Sequence, residues 1–220
     1  MTRAEVEHVL RAAAGVTDEN VFLVLGSQAV HGSIEFPPYQ LTKSRELDIF
    51  PMKAPEKMDL INGAIGEISQ FDATFGYYAH GMPPEACPLP KDWDKRLQPI
   101  QNASTKGALG LCLSVPDLAC SKLAAGREKD LGFVVELIVH GFCSTLQINQ
   151  LIPQLPREDH RKNAELNWKI VASRAHRYPA CAPMIRAEIQ LEIDRLHSLP
   201  EVRSFGAEAQ HKRIELEPEL

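Results

Sequence analysis

The chain has 220 residues, 44% of them hydrophobic and 24% charged. That balance excludes disordered and fibrous classes and allows one or two domains at roughly 150 residues each. The net charge of −5, from 24 basic and 29 acidic residues, argues against a general nucleic-acid coat but leaves room for a local basic groove. No apolar run reaches the roughly 18 residues that a membrane span needs. The opening stretch MTRAEVEHVLRAAAG is charged throughout, unlike a secretion signal, so a cytoplasmic protein with no membrane partner is expected. Five cysteines (Cys87, Cys112, Cys120, Cys143, Cys181) with no CxxC pair read as small buried hydrophobes, not as a disulfide framework or a zinc site.

In chain order, Val6, Val9, Leu10 and Ala13 recur at helical spacing and predict a helix over 3–14. VFLVL (21–25) is a continuous apolar run of β-formers and reads as a buried strand. Gly26-Ser27 ends it, and QAVHG (28–32) predicts a short helix closed by Gly32. LDIF (47–50) is a second strand, stopped by Pro51. Residues 55–69 form an amphipathic helix on paper, with Met58, Leu60, Ile61, Ile65 and Ile68 on its apolar face. The alternating, aromatic FDATFGYYAHGM (71–82) reads as a third strand. Residues 83–99 are Pro-rich and irregular, and a fourth strand is expected near 108–113.

Helices then take over. Ser114-Val-Pro-Asp117 has the form of a capping box with Pro in the first turn, opening a helix that runs to about Ala125. Gly126 breaks the path, a second helix covers roughly 128–140, and long helices follow at about 157–176 and 183–198. The expected fold class is therefore α+β: a mixed sheet flanked by helices over 1–113, a helical part over 114–205 and a frayed polar tail over 206–220.

Three local features suggest chemistry. Gly26-Ser27 lies between strand and helix, where a glycine admits a phosphate and a helix start offers free N–H groups; most such junctions are plain turns. Glu46 and Asp48 are two apart on a strand, so they share a face at about 6–7 Å and could hold a divalent ion, or could be ordinary surface acids. Lys122, Arg127 and Lys129, with Asp130, gather charge at a helix junction. Lys122 sits at the edge of an apolar stripe, where it could reach nucleotide phosphates or complement a helix dipole. Were the helix continuous, Lys122 and Lys129 would share a face.

The order GS, then acid-x-acid on the next strand, resembles the nucleotidyltransferase superfamily. VPDLACSKLAAGREKDLGFVVELI resembles the helical motif of AbiEii-type nucleotidyltransferases, found as toxins of toxin–antitoxin and phage-defence systems, and LP-x-x-W-x-x-R (Leu89, Pro90, Trp93, Arg96) resembles the linker before it. The resemblance spans about residues 20–140. It implies that Gly26 and Ser27 hold a triphosphate and that Glu46 and Asp48 bind Mg²⁺ or Mn²⁺. Lys122 would contact phosphate or the reacting hydroxyl, Asp130 would orient a partner, and Arg127 and Lys129 would be further phosphate contacts or partners of Asp130. The implied reaction moves NMP from an NTP to an RNA (tRNA) or protein hydroxyl, with an antitoxin as partner. Glu46 stands where that pattern usually has Asp, which also fits a non-catalytic nucleotide- or partner-binding relative; a phosphotransferase on the same fold is the other alternative.

The superfamily often uses a third carboxylate, and Asp72 in the expected third strand is the candidate metal ligand. Arg45 could bind phosphate or pair with Glu46. His31 could approach substrate or be a hydrogen-bonded spacer, and Tyr77 or Tyr78 could stack a base or face the core. The stretch 157–177 is locally basic (Arg157, Arg161, Lys162, Lys169, Arg174, Arg177) and could touch an RNA backbone or simply be a solvated face around Leu166, Trp168, Ile170 and Val171.

Overall fold

The computed structural model describes residues 1–198; the expected frayed tail over 206–220 lies outside that range. Helix α1 (Arg3–Thr17) opens on a Thr2 capping box closed by Glu5. Strand β1 (Val21–Val24) follows, then a 3-10 segment at Ser27–Gly32, helix α2 (Tyr39–Thr42) and strand β2 (Glu46–Pro51). Helices α3 (Met58–Ile65) and α4 (Gln70–Phe75) precede strand β3 (Tyr78–Gly81), and β4 (Gln98–Ile100) and β5 (Leu109–Cys112) complete the sheet. Helices α5 (Val115–Ala125), α6 (Glu128–Val139), α7 (Thr145–Leu151), α8 (Glu158–His176) and α9 (Pro183–Ser198) follow. The fold is α+β, with a helical C-terminal part.

The sheet is mixed, in the order β3-β2-β1-β5-β4. Strand β1 pairs parallel with β5 and antiparallel with β2, and β2 pairs parallel with β3. The apolar run at 21–25 explains the central place of β1, with hydrogen-bonded neighbours on both sides. Strand β4, with Pro99 in its middle, lies at an edge, where a missing N–H is tolerated. Helices α1 and α3 pack on each other and on β3. Leu10 of α1 reaches Gly110 so closely that a Cβ there would stand 2.8 Å from its Cδ1. In the C-terminal part, α8 packs on α5, α6 and α9, with Trp168 and Val171 buried. One cluster of buried apolar side chains extends from α1 to α9.

Several expectations are corrected. The segment 71–82 is not one strand: Ser69 caps α4 by accepting from the Asp72 N–H, Gly76 ends that helix at φ +76°, and only Tyr78–Gly81 is extended. The expected helix over 55–69 is a 3-10 turn followed by α3, which stops at Gly66; Ile61 and Ile65 are buried, while Leu60 and Ile68 are exposed. In 157–176, Leu166 is likewise exposed. Helices α2 and α7 and strand β4 were not anticipated. The Ser114 cap forms, but the Asp117 carboxylate faces Arg96 and the Ser114 hydroxyl, not the backbone N–H of Ser114.

Candidate active site

Strand β2 alternates as a half-buried strand should: Leu47 and Ile49 enter the core, and Glu46 and Asp48 lie on the opposite face. The register with β3 sets Asp48 opposite His80. His80 Nδ1 is 3.0 Å from Asp48 Oδ1 and 3.2 Å from Glu46 Oε1. The strand end carrying His80 is held from the α3 side, where the Asn62 side chain accepts from the Gly81 N–H at 2.7 Å. On the other side, Gly26 adopts φ 59°, ψ −166°, a region open essentially to glycine alone. A Cβ on Gly26 would stand 2.0 Å from Asp48 Oδ2, so the residue must be glycine for the carboxylate to occupy its place.

Facing this strand pair is the junction between α5 and α6. Gly126 ends α5 at φ +68°, its N–H donating to the Lys122 carbonyl, so the two helices are separate and Lys122 and Lys129 do not share one helical face. The turn instead converges on Asp130, which is fully buried. Lys122 Nζ donates to Asp130 Oδ1 at 2.9 Å, and Arg127 Nε donates to Asp130 Oδ2 at 2.5 Å. The Lys122 ammonium also lies 4.5 Å from the centre of the Phe133 ring, a cation–π contact. Burial lowers the Lys122 pKa, with a further push from Arg127, against the pull of Asp130. Burial works to raise the Asp130 carboxyl, but the Arg127 hydrogen bond and the Lys122 charge outweigh it and hold the group below its ordinary range.

Both walls line one cavity of about 730 Å³. Gly26, Ser27, Glu46, Asp48, Lys122, Arg127, Lys129 and Asp130 all border it. Lys43, His80 and Cys87 border it too, unanticipated from the sequence. The carboxylates and cations sense one another: Asp48 pulls upward on Lys122, which burial nonetheless lowers overall, and adds to the rise of Arg127, which comes chiefly from its hydrogen bond to Asp130. Burial, then repulsion from Asp48, raises Glu46. Burial pushes the Cys87 thiol up to about 11, so it is no ready nucleophile.

Two expected site residues stand elsewhere. Asp72 lies on α4, not on a strand; its carboxylate accepts from Arg45 and from the Ile68 N–H, and it does not border the cavity. Arg45 is thereby committed to Asp72, with its guanidinium 5.4 Å from the centre of the Tyr78 ring. The tyrosines are engaged as well: Tyr77 shares a 2.7 Å hydrogen bond with His8, and Tyr78 is buried beneath Arg45. His31 is a buried spacer bonded to the Met1 carbonyl. All five cysteines are free and four are buried, as small hydrophobes would be. In the basic stretch, Arg157, Lys162 and Arg174 pair with Asp159, Glu158 and Glu128. Arg96, in the LP-x-x-W-x-x-R segment, is the partner of buried Asp117.

The ligand atoms of Glu46, Asp48 and His80 all lie within 4.8 Å of one another. Two carboxylate oxygens and one imidazole nitrogen, open to a cavity, are a donor set that fits a divalent cation. Among the described residues no helix is long and apolar enough to cross a membrane. A family model described as "Nucleotidyltransferase of unknown function (DUF6036)" matches residues 4–175. No curated protein and no solved structure matches the chain.

Proposed function

We propose that this chain, which belongs to the DUF6036 family of nucleotidyltransferases of unknown function, transfers a nucleoside monophosphate from an NTP to a hydroxyl group. The observation that carries this reading is the single cavity bordered on one side by Glu46 and Asp48 and on the other by Lys122, Arg127 and Lys129. Carboxylates alone would repel a triphosphate, and cations alone would bind it without activating it; the pairing supports metal-assisted transfer. Mg²⁺ or Mn²⁺ held by Glu46 and Asp48 would neutralise charge on the phosphates and make the acceptor hydroxyl easier to deprotonate. Gly26 and Ser27 leave the backbone accessible to phosphate oxygens. Lys122 supplies fixed positive charge at the reacting phosphate, and Asp130 holds both Lys122 and Arg127 in orientation. The acceptor oxygen bonds to the α-phosphorus and gives up its proton to solvent as the bond to the β-phosphate bridging oxygen breaks, and pyrophosphate leaves. The resemblance to AbiEii-type proteins supports an RNA (tRNA) or protein acceptor and a toxin role restrained by an antitoxin.

The test is transfer from α-³²P-labelled and γ-³²P-labelled NTPs to total RNA and to protein, with Mg²⁺ or Mn²⁺. Label from the α position that disappears in Asp48→Ala is expected. Label from the γ position alone would replace this reading with phosphotransfer. No transfer, with no nucleotide binding by calorimetry, would leave a non-catalytic module of the same fold.

A further inference from the structure

We infer that His80 is the third protein ligand of the divalent cation held by Glu46 and Asp48, and that it tilts the site towards Mn²⁺ over Mg²⁺. This deepens the proposed function and rests on its assignment of the two carboxylates. His80 reaches them through the sheet: the parallel register of β2 and β3 sets it directly opposite Asp48, on the face from which both acids project. Its Nδ1 stands 3.0 Å from Asp48 Oδ1 and 3.2 Å from Glu46 Oε1. Neighbouring ligands of an octahedral ion are separated by √2 times the bond length, or about 3.0 Å for bonds of about 2.1 Å. The two spacings to His80 match adjacent positions around one small cation, and all three ligand atoms lie within 4.8 Å of one another.

The imidazole side chain is 45% exposed and lies at the cavity wall, so an ion can reach it. The imidazole nitrogen adds a third donor of a different kind beside the two carboxylates. Mg²⁺ favours oxygen ligands and holds its water tightly, whereas imidazole nitrogen suits transition ions. A nitrogen donor therefore tilts the triad further towards Mn²⁺ than three carboxylates would. The competing account of the same distances is a plain hydrogen bond, with an Nδ1 proton shared between the acids and no cation present.

The probe is Mn²⁺ alone, titrated into the full chain by electron paramagnetic resonance, with Mg²⁺ as competitor and pulsed detection of nitrogen coupling. The wild type is expected to bind Mn²⁺ at least about tenfold more tightly than Mg²⁺ and to show a ¹⁴N coupling to the bound ion. His80→Ala should lose that coupling and about tenfold or more in Mn²⁺ affinity, and His80→Asp should move the preference towards Mg²⁺. Absence of Mn²⁺ binding, Mn²⁺ bound without nitrogen coupling in the wild type, equal affinity for the two ions, or unchanged Mn²⁺ affinity in His80→Ala would each overturn the inference. The wild-type coupling needs no variant to fold. Asp48→Ala separates the two levels: Mn²⁺ binding that survives it removes the metal assignment on which the function rests. Binding lost in Asp48→Ala but untouched in His80→Ala removes only the role of His80.

Discussion

At the scale of single residues, Asp130 organises the basic wall. It is fully buried, and it is bonded to two cations that both border the cavity. Its folded pKa is depressed below the ordinary 3.8, so the folded state binds this proton less readily than the unfolded chain. The stability it contributes is therefore complete above pH 3.8 and is lost as the pH falls through the lower folded value. Asp130→Asn leaves the Lys122 ammonium buried without its anion, a change that costs about 3–5 kcal/mol for buried pairs. Urea unfolding of both proteins at steps from neutral pH into this acid range should show a gap that is widest at neutral pH and narrows only below 3.8. A gap independent of pH would mean that the carboxylate charge is not what stabilises the turn.

At the scale of elements, the N-terminus of α5 depends on a residue from outside the helix. Asp117 is fully buried in the first turn, where the helix dipole favours an anion. Arg96 clamps it in a fork, Nε to Oδ2 at 2.9 Å and Nη2 to Oδ1 at 2.6 Å, and also donates to the Lys91 carbonyl. The Pro-rich segment before β4 is thus tied to the helix that carries Lys122. Arg96→Ala should destabilise the protein by about 3 kcal/mol, at the low end for a broken buried pair because the Ser114 hydroxyl still donates to Asp117. The measurement is the urea midpoint, with an unchanged slope; a loss below about 0.5 kcal/mol would place the pair with surface ion pairs. Helix α4 belongs to the same scale. Phe71 and Phe75, four apart on α4, and Tyr77 just after it surround His8 of α1. Aromatic residues in 71–82 suggested a strand, but the Ser69 cap and Gly76 stop were the better local signal.

At the scale of the whole molecule, the cavity joins the sheet to the helical part. Strand β2 supplies Glu46 and Asp48 and β3 supplies His80, while α5, the turn after it and α6 supply Lys122, Arg127 and Lys129. A ligand that bridges both walls stabilises only the folded chain. Mn²⁺ with an NTP at about a hundred times its dissociation constant should add about 2.7 kcal/mol, which is a rise of roughly 5–10 °C in Tm for a chain of this size. Thermal unfolding followed by circular dichroism checks this, and Asp48→Ala should abolish the rise. A shift that persists in Asp48→Ala would locate nucleotide binding on the cationic wall alone.

Local periodicity and punctuation were enough to place α1, β1, β2, α5, α6, α8 and α9, because 3.6-residue and 2-residue patterns, caps and glycine stops act within a few residues. The same locality made the candidate site readable in pieces: Gly26-Ser27, Glu46 and Asp48 on one strand face, and the Lys122-to-Asp130 turn. It failed where pairing is remote. His80 lies 32 residues from Asp48, and only the parallel register of β2 with β3 sets them side by side. Arg96 found Asp117, and Asp72 found Arg45, across gaps that no spacing rule spans. Sequence by itself determined the α+β class, most helices of the described residues and the chemical types that border the candidate site. Tertiary structure alone decided which of those groups meet, because sheet register and helix packing are set by burial of the whole apolar core and not by neighbours along the chain.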